Sequence, residues 1–292
     1  MTSLSRRKFL LQSGALGAAT LASQGLMQAA RANPLKLPVG IQLYAVKDAM
    51  KDDAAGTLKA LKQIGFGEVE TAGFGDRSAK EFRRLLDDAG LACPSSHLPF
   101  DIDNLGATFD AAHALGNTYT ASGGLRASLR PPVTGPESGM TLEEAKRTAD
   151  LANRIGAAAQ KAGLQYAYHN HNVEFADQGG SIGYDILLKE TDPALVKFEI
   201  DCGWMVVGGR NPIDYFRQYP DRFPMIHVKD FLAEPAHPGT ELGHGMIDYG
   251  PIFAAAKKAA LKHYFVEQEG PFVRMSQLDA ARQAYAYLHR MS

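Results

Sequence analysis

Beyond residue 32, short runs of β-branched and aromatic residues alternate with longer stretches whose apolar positions recur every three to four residues. The first pattern is that of buried strands and the second that of amphipathic helices. Strands are predicted at 39–46, 68–73, 92–99, 118–124, 165–171, 196–203, 223–230 and 263–269. Helices are predicted at 53–64, 78–89, 104–115, 141–162, 183–190, 212–219, 249–260 and 276–290. Regular alternation implies a parallel α/β sheet, and eight of each is the count of a single-domain (β/α)8 TIM barrel. Ser78 with Glu81, Thr141 with Glu144 and Ser276 with Asp279 have the spacing of capping boxes. Asn211-Pro212 places a cap before a first-turn proline. Gly65, Gly90, Gly116 and Gly163 follow helical runs, where a left-handed residue ends the helix. Residues 125–140 break the repeat and are expected to form a long loop after the fourth strand, with the role of a lid.

Residues 1–32 stand outside this pattern and read as a targeting segment. Ser5-Arg6-Arg7-Lys8-Phe9-Leu10 is a twin-arginine export signal, followed by a mildly apolar stretch to Met27 and the cleavage pattern Ala30-Arg31-Ala32. A permanent membrane anchor is the competing reading. Ser13, Gly14, Gly17, Ser23 and Gln24 dilute the stretch below what a span requires. The expected partner is the twin-arginine translocation machinery, and the expected compartment is the periplasm. The barrel then occupies residues 33–292. Removing the segment takes away Arg6, Arg7, Lys8 and Arg31 and no acid, which moves the net charge from −1 to −5. Such a surface offers no electrostatic footprint for nucleic acid. The cysteines, Cys93 and Cys202, sit in strand-like runs and are expected to be buried thiols rather than a disulfide.

Candidate chemistry gathers at the ends of the last four strands. His169, Asp201, His227 and Glu267 are separated by 32, 26 and 40 residues, about one strand–helix unit each. A barrel brings such ends to one face. Side chains alternate along a strand, so Glu199 and Asp201 share a face, as do His227 and Lys229, Glu267 and Glu269, and His169 and His171. In each case the aliphatic neighbours point the other way, towards the helices. Each residue alone has a bland reading: a strand histidine is usually a hydrogen-bonded core residue, and a strand-end aspartate is often a helix cap. Convergence of several acids and imidazoles demands a compensating cation or mutual pairing. Mixed Asp, Glu and His ligation suits one divalent ion, Mn, Mg, Co or Zn. Gln42, Tyr44, Glu70, His97 and Ser122 add polar groups at the other strand ends, Trp204 offers a wall for a sugar ring, and His244 lies in the loop after strand seven. No phosphate loop, Cys-x-x-Cys pair, Gly-x-Ser-x-Gly elbow or His-Glu-x-x-His helix is present.

Tyr168-His-Asn-His, Glu199-Ile-Asp-Cys-Gly-Trp204, Ile226-His-Val-Lys-Asp230 and Gly243-His-Gly-Met-Ile-Asp248 resemble the xylose isomerase-like TIM-barrel superfamily, which includes sugar phosphate isomerases and epimerases. The resemblance runs from Val39 to Glu269. It implies a metal site of Glu, Asp, His and Glu on strands five to eight, matched by Asp201, His227 and Glu267. The first ligand departs, because His169 stands where the family's glutamate does. Either Glu174 swings back as the carboxylate, which is the favoured reading, or His169 or His171 binds directly. The implied chemistry is proton removal beside a carbonyl, with the ion holding an enediolate. His169, His171 and Glu267 are the candidate bases and Lys229 the candidate oxyanion stabiliser. Substrate contacts are expected from Gln42, Tyr44, Glu70, His97, Trp204 and His244. The leading expectation is a periplasmic sugar isomerase or epimerase, followed by a lyase or dehydratase acting on a keto-sugar or ketoglycoside, and then by a non-catalytic sugar-binding barrel.

Overall fold

Eight parallel strands close on themselves in chain order: β1 (Gly40–Gln42), β2 (Glu68–Ala72), β3 (Ala92–His97), β4 (Tyr119–Ser122), β5 (Gln165–His169), β6 (Val196–Asp201), β7 (Met225–Val228) and β8 (His263–Val266), with β8 pairing back onto β1. This is the (β/α)8 barrel that the repeat predicts. The computed structural model describes residues 33–129, 139–272 and 275–291. The expected export signal at 1–32 and most of the expected lid, 130–138, lie outside the described residues. The outer ring comprises α1 (Ala54–Ile64), α2 (Ala79–Ala89), α3 (Leu105–Leu115), α4 (Leu142–Lys161), α5 (Gly183–Glu190), α6 (Pro212–Gln218), α7 (Tyr249–Ala256) and α8 (Gln277–Arg290).

Side chains supply the backbone partners that helix ends lack. Ser78 with Glu81 and Thr141 with Glu144 form reciprocal capping boxes. Asn211 accepts from the Ile213 amide ahead of α6, whose first residue is Pro212. Gly90 and Gly116 end α2 and α3 at φ of 70° and 80°, the left-handed region a side chain disfavours.

One core fills the space between sheet and helices. There the outward residues Ile41, Val69, Phe198, Ile200, Ile226 and Val228 are buried against Leu86, Ile155 and Phe253. A smaller core lies inside the barrel, where Ala121, Ala167, Met225 and Phe265 pack together with no exposure. The two alanines leave room that Met225 and Phe265 fill. The residue two places on from three of them is charged or polar: His169, His227 and Glu267. This apolar plug therefore forms the floor beneath the polar mouth.

The structure corrects several boundaries. The first strand stops at Gln42, whose side chain accepts from the Tyr44 amide and turns the chain into a 3-10 segment, Leu43–Val46. The sixth stops at Asp201, whose carboxylate accepts from the Trp204 amide at 2.8 Å and starts a short helix, Cys202–Val207. A helix at Lys47–Asp52 and an antiparallel pair, Asp230–Phe231 with Gly239–Thr240, are additions to the repeat. Cys93 and Cys202 are buried free thiols, as expected. Among the described residues no helix is long and apolar enough to cross a membrane.

Candidate active site

At the C-terminal mouth the strand register sets His169 beside Glu199, and Asp201 beside His227. Asn170 locks the β5 and β6 ends together. Its Oδ1 accepts from the Asp201 amide at 3.0 Å and its Nδ2 donates to the Asp201 carbonyl at 3.2 Å. His227 is fully buried and works on two sides. Its Nδ1 lies 3.1 Å from Glu267 Oε2 and 3.9 Å from Asp201 Oδ2. Its Nε2 lies 2.8 Å from Glu70 Oε2 and 3.3 Å from Glu199 Oε1. Lys229 Nζ bridges Asp201 Oδ2 at 3.2 Å and Glu267 Oε2 at 2.7 Å, and also pairs with Glu269. Trp204 donates from Nε1 to Glu269 at 3.2 Å, and its ring lies over the Lys229 ammonium. Opposite, His97 Nε2 reaches Glu199 Oε2 at 2.7 Å and Glu70 Oε2 at 3.2 Å. Gln42 and Ser95 donate to Glu70 at 2.7 and 2.5 Å.

So many charges in a buried space shift one another. Burial raises Glu267, but the Lys229 charge and the His227 hydrogen bond outweigh it and hold the carboxyl well below the usual range. Glu70 is likewise raised by burial and lowered further by His97 and His227, and it ends well below its ordinary value. Glu199, penalised by burial and by Glu70, is still drawn down to about 2 by His227 and His169. Burial opposes protonation of His97, yet Glu70 and Glu199 push it up to about 10. His227 is raised well above an ordinary histidine, against its burial, by Glu199 and its other carboxylate partners. His169 goes the other way, because burial and the neighbouring His227 charge keep its ring neutral. Burial also lowers His171. Asp201 is raised by burial in spite of Lys229.

Two overlapping groups have the composition of a metal site, with each group's donor atoms within 4.8 Å of one another. One is His169, Asp201, His227 and Glu267; the other is His97, His169, Glu199 and His227. Their fit to a divalent ion rests on atoms left over. His169 Nδ1 is buried without a hydrogen-bond partner, and Asp201 Oδ2 and Glu199 Oε1 make ion pairs with Lys229 and His227 but no aligned hydrogen bond, a costly state that a cation relieves.

The placement of the expected residues is uneven. Asp201, His227 and Glu267 converge, with His169 as the fourth member. Glu174 does not join them. Its Oε1 accepts from the Tyr168 hydroxyl at 2.7 Å and its Oε2 from the His171 amide at 3.0 Å, so both oxygens are committed to holding the loop after β5. His171 stands at the mouth, its ring 5.1 Å from that of His169 and 6.2 Å from that of Trp204. Gln42 and Glu70 are fully buried within the network rather than open to a substrate. His97 borders the mouth with 16% of its side chain exposed. Tyr44 is exposed beside Lys47, on the edge of a cavity of about 200 Å³ that Phe74 and Arg77 also line. His244 is exposed and meets Gln283 of α8 instead of the cluster. Ser122 is taken up by the Tyr166 hydroxyl at 2.6 Å.

Sequence reasoning passed over Glu199, although it shares a strand face with Asp201. It also missed Asp230, whose carboxylate accepts from the amides of Phe231, Gly243, Gly245 and Ile247. That clamp explains the Gly243–Asp248 motif: Gly245 has no space for a Cβ, which would fall 2.1 Å from Asp230 Oδ1.

Residues 58–290 match the xylose isomerase-like TIM barrel family. The chain belongs to that family. An inosose dehydratase from Lacticaseibacillus casei is 30% identical over 165 residues, covering 51% of this chain and 55% of that enzyme. One from Clostridium beijerinckii is 32% identical over 148 residues, covering 44% and 48%. The chain therefore spans about half the length of the dehydratases it matches. A sugar phosphate isomerase/epimerase structure from Parabacteroides distasonis superposes with a TM-score of 0.73 at 26% identity, covering 87% of this chain and 94% of that one.

Proposed function

We propose that this chain is a divalent-metal-dependent lyase or dehydratase acting on a polyhydroxylated ketone: a keto-sugar, a ketoglycoside or a cyclic keto-polyol of the inosose type. The observation that carries the reading is the convergence of His169, Asp201, His227 and Glu267, whose donor atoms lie within 4.8 Å of one another and among which His169 Nδ1 is buried without a hydrogen-bond partner. These four residues would hold the ion, with His169 replacing Glu174 in the expected set because both Glu174 oxygens are engaged elsewhere. When bound, the ion polarises the substrate's carbonyl and neighbouring hydroxyl oxygens and so acidifies the C–H between them.

The base role then passes from His169 to His171. Its lowered pKa keeps it neutral at pH 7, and Glu174 fixes its backbone amide. The C–H bond breaks, the proton goes to the His171 ring, and the bonding pair moves onto the carbonyl oxygen. When the pair returns, it expels the β-substituent, which leaves with a proton as water or an alcohol. Lys229 keeps Glu267 ionised and brings positive charge to the mouth. Trp204 supplies an apolar wall.

The resemblance implies a glutamate paired with Glu267 for simple epimerisation, and His169 occupies that glutamate's place here. Isomerisation or epimerisation is therefore the second reading, favoured by the likeness to the Parabacteroides protein. The test incubates the metal-loaded protein with inosose and with 3-keto-glucosides in deuterated water. Proton exchange with a product lighter by the lost substituent supports elimination. Exchange without loss replaces it with isomerisation, and binding without exchange leaves a sugar-binding barrel.

Export to the periplasm by the twin-arginine route is part of the proposal. It is supported by Arg6, Arg7 and the Ala30-Arg31-Ala32 pattern. Normal periplasmic recovery of the Arg6→Lys/Arg7→Lys variant would remove it.

A further inference from the structure

A second concavity opens on the same face of the barrel, beside the charged mouth. This cavity of about 200 Å³ is walled by residues from 43–51 and 72–77, which follow the C-terminal ends of β1 and β2. Gln42 ties it to the mouth: its Oε1 accepts from the Tyr44 amide, while its Nε2 donates to Glu70. The Tyr44 hydroxyl raises Lys47 above its ordinary range, and Glu269, the partner of Lys229 and Trp204, adds to that effect. One wall is aromatic. Tyr44, at 39%, is the exposed large apolar side chain among the described residues, and Phe74 and the buried Phe82 line the cavity with it. Lys47 Nζ donates to the Tyr44 hydroxyl at 3.0 Å and lies 4.1 Å from the ring centre.

Charge sets this cavity apart from the mouth. Lys47, Lys51 and Arg77 line it against a single acid, Asp76, in a chain whose net charge is −1. The Arg77 and Lys51 side chains make no hydrogen bond or ion pair among the described residues. Glu81, the acid that feels the Arg77 charge, is committed to the Ser78 amide and hydroxyl. Two cations thus stand ready for an anion, and a guanidinium suits a carboxylate because its paired donors match the two oxygens. A cavity of about 150 Å³ accepts benzene, so this one has room for a benzene ring with a small substituent. The ligand that fits is an aromatic ring carrying a carboxylate.

We infer that this cavity is the subsite for the leaving group of a 3-ketoglycoside, and that this aglycone is an aromatic ring bearing a carboxylate. The inference deepens the proposed function: its role rests on that elimination, while its ligand rests on the cavity alone. In a 3-ketoglycoside the carbonyl acidifies the C2 hydrogen, and the substituent β to the carbonyl is the aglycone on C1. Elimination breaks the C1–O bond, and the bonding pair leaves with the aglycone oxygen. A phenol has a pKa of about 10 against about 15.7 for water, so a phenolate departs readily and takes its proton from solvent. Loss of water from an inosose would use no such cavity. The sugar ring belongs at the charged mouth and its C1 substituent at Tyr44, Phe74 and Arg77.

The test first measures binding of 4-hydroxybenzoate by calorimetry, which requires no turnover. Wild type should bind it, inorganic phosphate should not displace it, and Lys47→Gln/Arg77→Gln should weaken it by about tenfold. Kinetics on the metal-loaded chain then compare the 3-keto-β-glucosides of 4-hydroxybenzoate and of its methyl ester, the uncharged control of the same shape. Expected is a kcat/KM roughly tenfold higher for the acid than for the ester, with that ratio falling to about one in the double variant. Arg77→Gln alone replaces the double variant if circular dichroism shows that the latter does not fold. Displacement by phosphate overturns the aromatic ligand, and binding or a rate ratio unchanged in the folded variant overturns the site. If the ester is eliminated while the acid is neither bound nor preferred, the subsite falls and the proposed function stands. If 4-hydroxybenzoate binds through Arg77 but neither glycoside reacts, the proposed elimination falls, and with it the aglycone role of a cavity that still takes aromatic acids.

Discussion

The barrel interior has two layers built on the same strands, and they are opposites. Ala167, Met225 and Phe265 face the axis in the floor. Two residues further along β5, β7 and β8 the same face carries His169, His227 and Glu267. One strand period of two separates a dry packed plug from a cluster of charges. The difference divides labour: the floor contributes stability by excluding water and leaving no cavity, while the mouth carries charges whose mutual compensation matters more than their packing. A change in one layer should therefore leave the other's property intact.

The largest expected break in that comparison is Phe265→Ala. It empties the floor and should destabilise the chain by about 3–5 kcal/mol, read by denaturant unfolding. The folded fraction should still bind metal. Loss of metal binding at full folding would show that the layers are not independent.

Next in size is His171→Ala, expected to lower turnover by roughly 100- to 10,000-fold while the ion content stays unchanged. His169→Ala should lower ion content and turnover together. The opposite pairing would return the base role to His169.

The pH dependence sharpens the contrast further. In the ion-free chain the His97 pKa is raised from 6.5 to about 10 and that of Glu199 is lowered from 4.5 to about 2. The His97 contribution is fully present below pH 6.5 and lost as pH rises through 10. The Glu199 contribution is present above pH 4.5 and lost as pH falls through 2. Stability of the ion-free chain should therefore be greatest between about pH 4.5 and 6.5. Thermal melts of the ion-free chain across this range decide this, and a stability that does not fall between pH 6.5 and 10 would contradict it.

The smallest effect is expected for His244→Ala, within about 0.5 kcal/mol in stability and with unchanged turnover, since the ring is exposed and meets Gln283. A marked fall in turnover would place His244 at the substrate after all.

Among these residues, those legible in the sequence share one property: their placement depends on a local period. The capping pairs Ser78–Glu81 and Thr141–Glu144 lie within one turn, so spacing and residue type suffice to predict them. Parity along a strand placed Asp201, His227 and Glu267 on the axis face. Parity says nothing about where a chain turns after the strand ends. Glu174 lies past β5, in a loop whose path is set by the Tyr168 hydroxyl and the His171 amide. The same limit misplaced His244, whose loop is gathered around the buried Asp230 carboxylate.

The sequence by itself determined the strand–helix repeat, and hence a closed barrel, because hydrophobic periodicity is written residue by residue. It also determined that acids and imidazoles would line one mouth. Only the tertiary structure decided which of them touch across the axis. His97 meets Glu199 across 102 residues of chain, and His227 meets Glu70 across 157. Those contacts follow from barrel closure and strand stagger, which fix the direction and depth at which each side chain enters the interior. A buried charge takes its partners from that geometry, and neighbours in the sequence do not specify them.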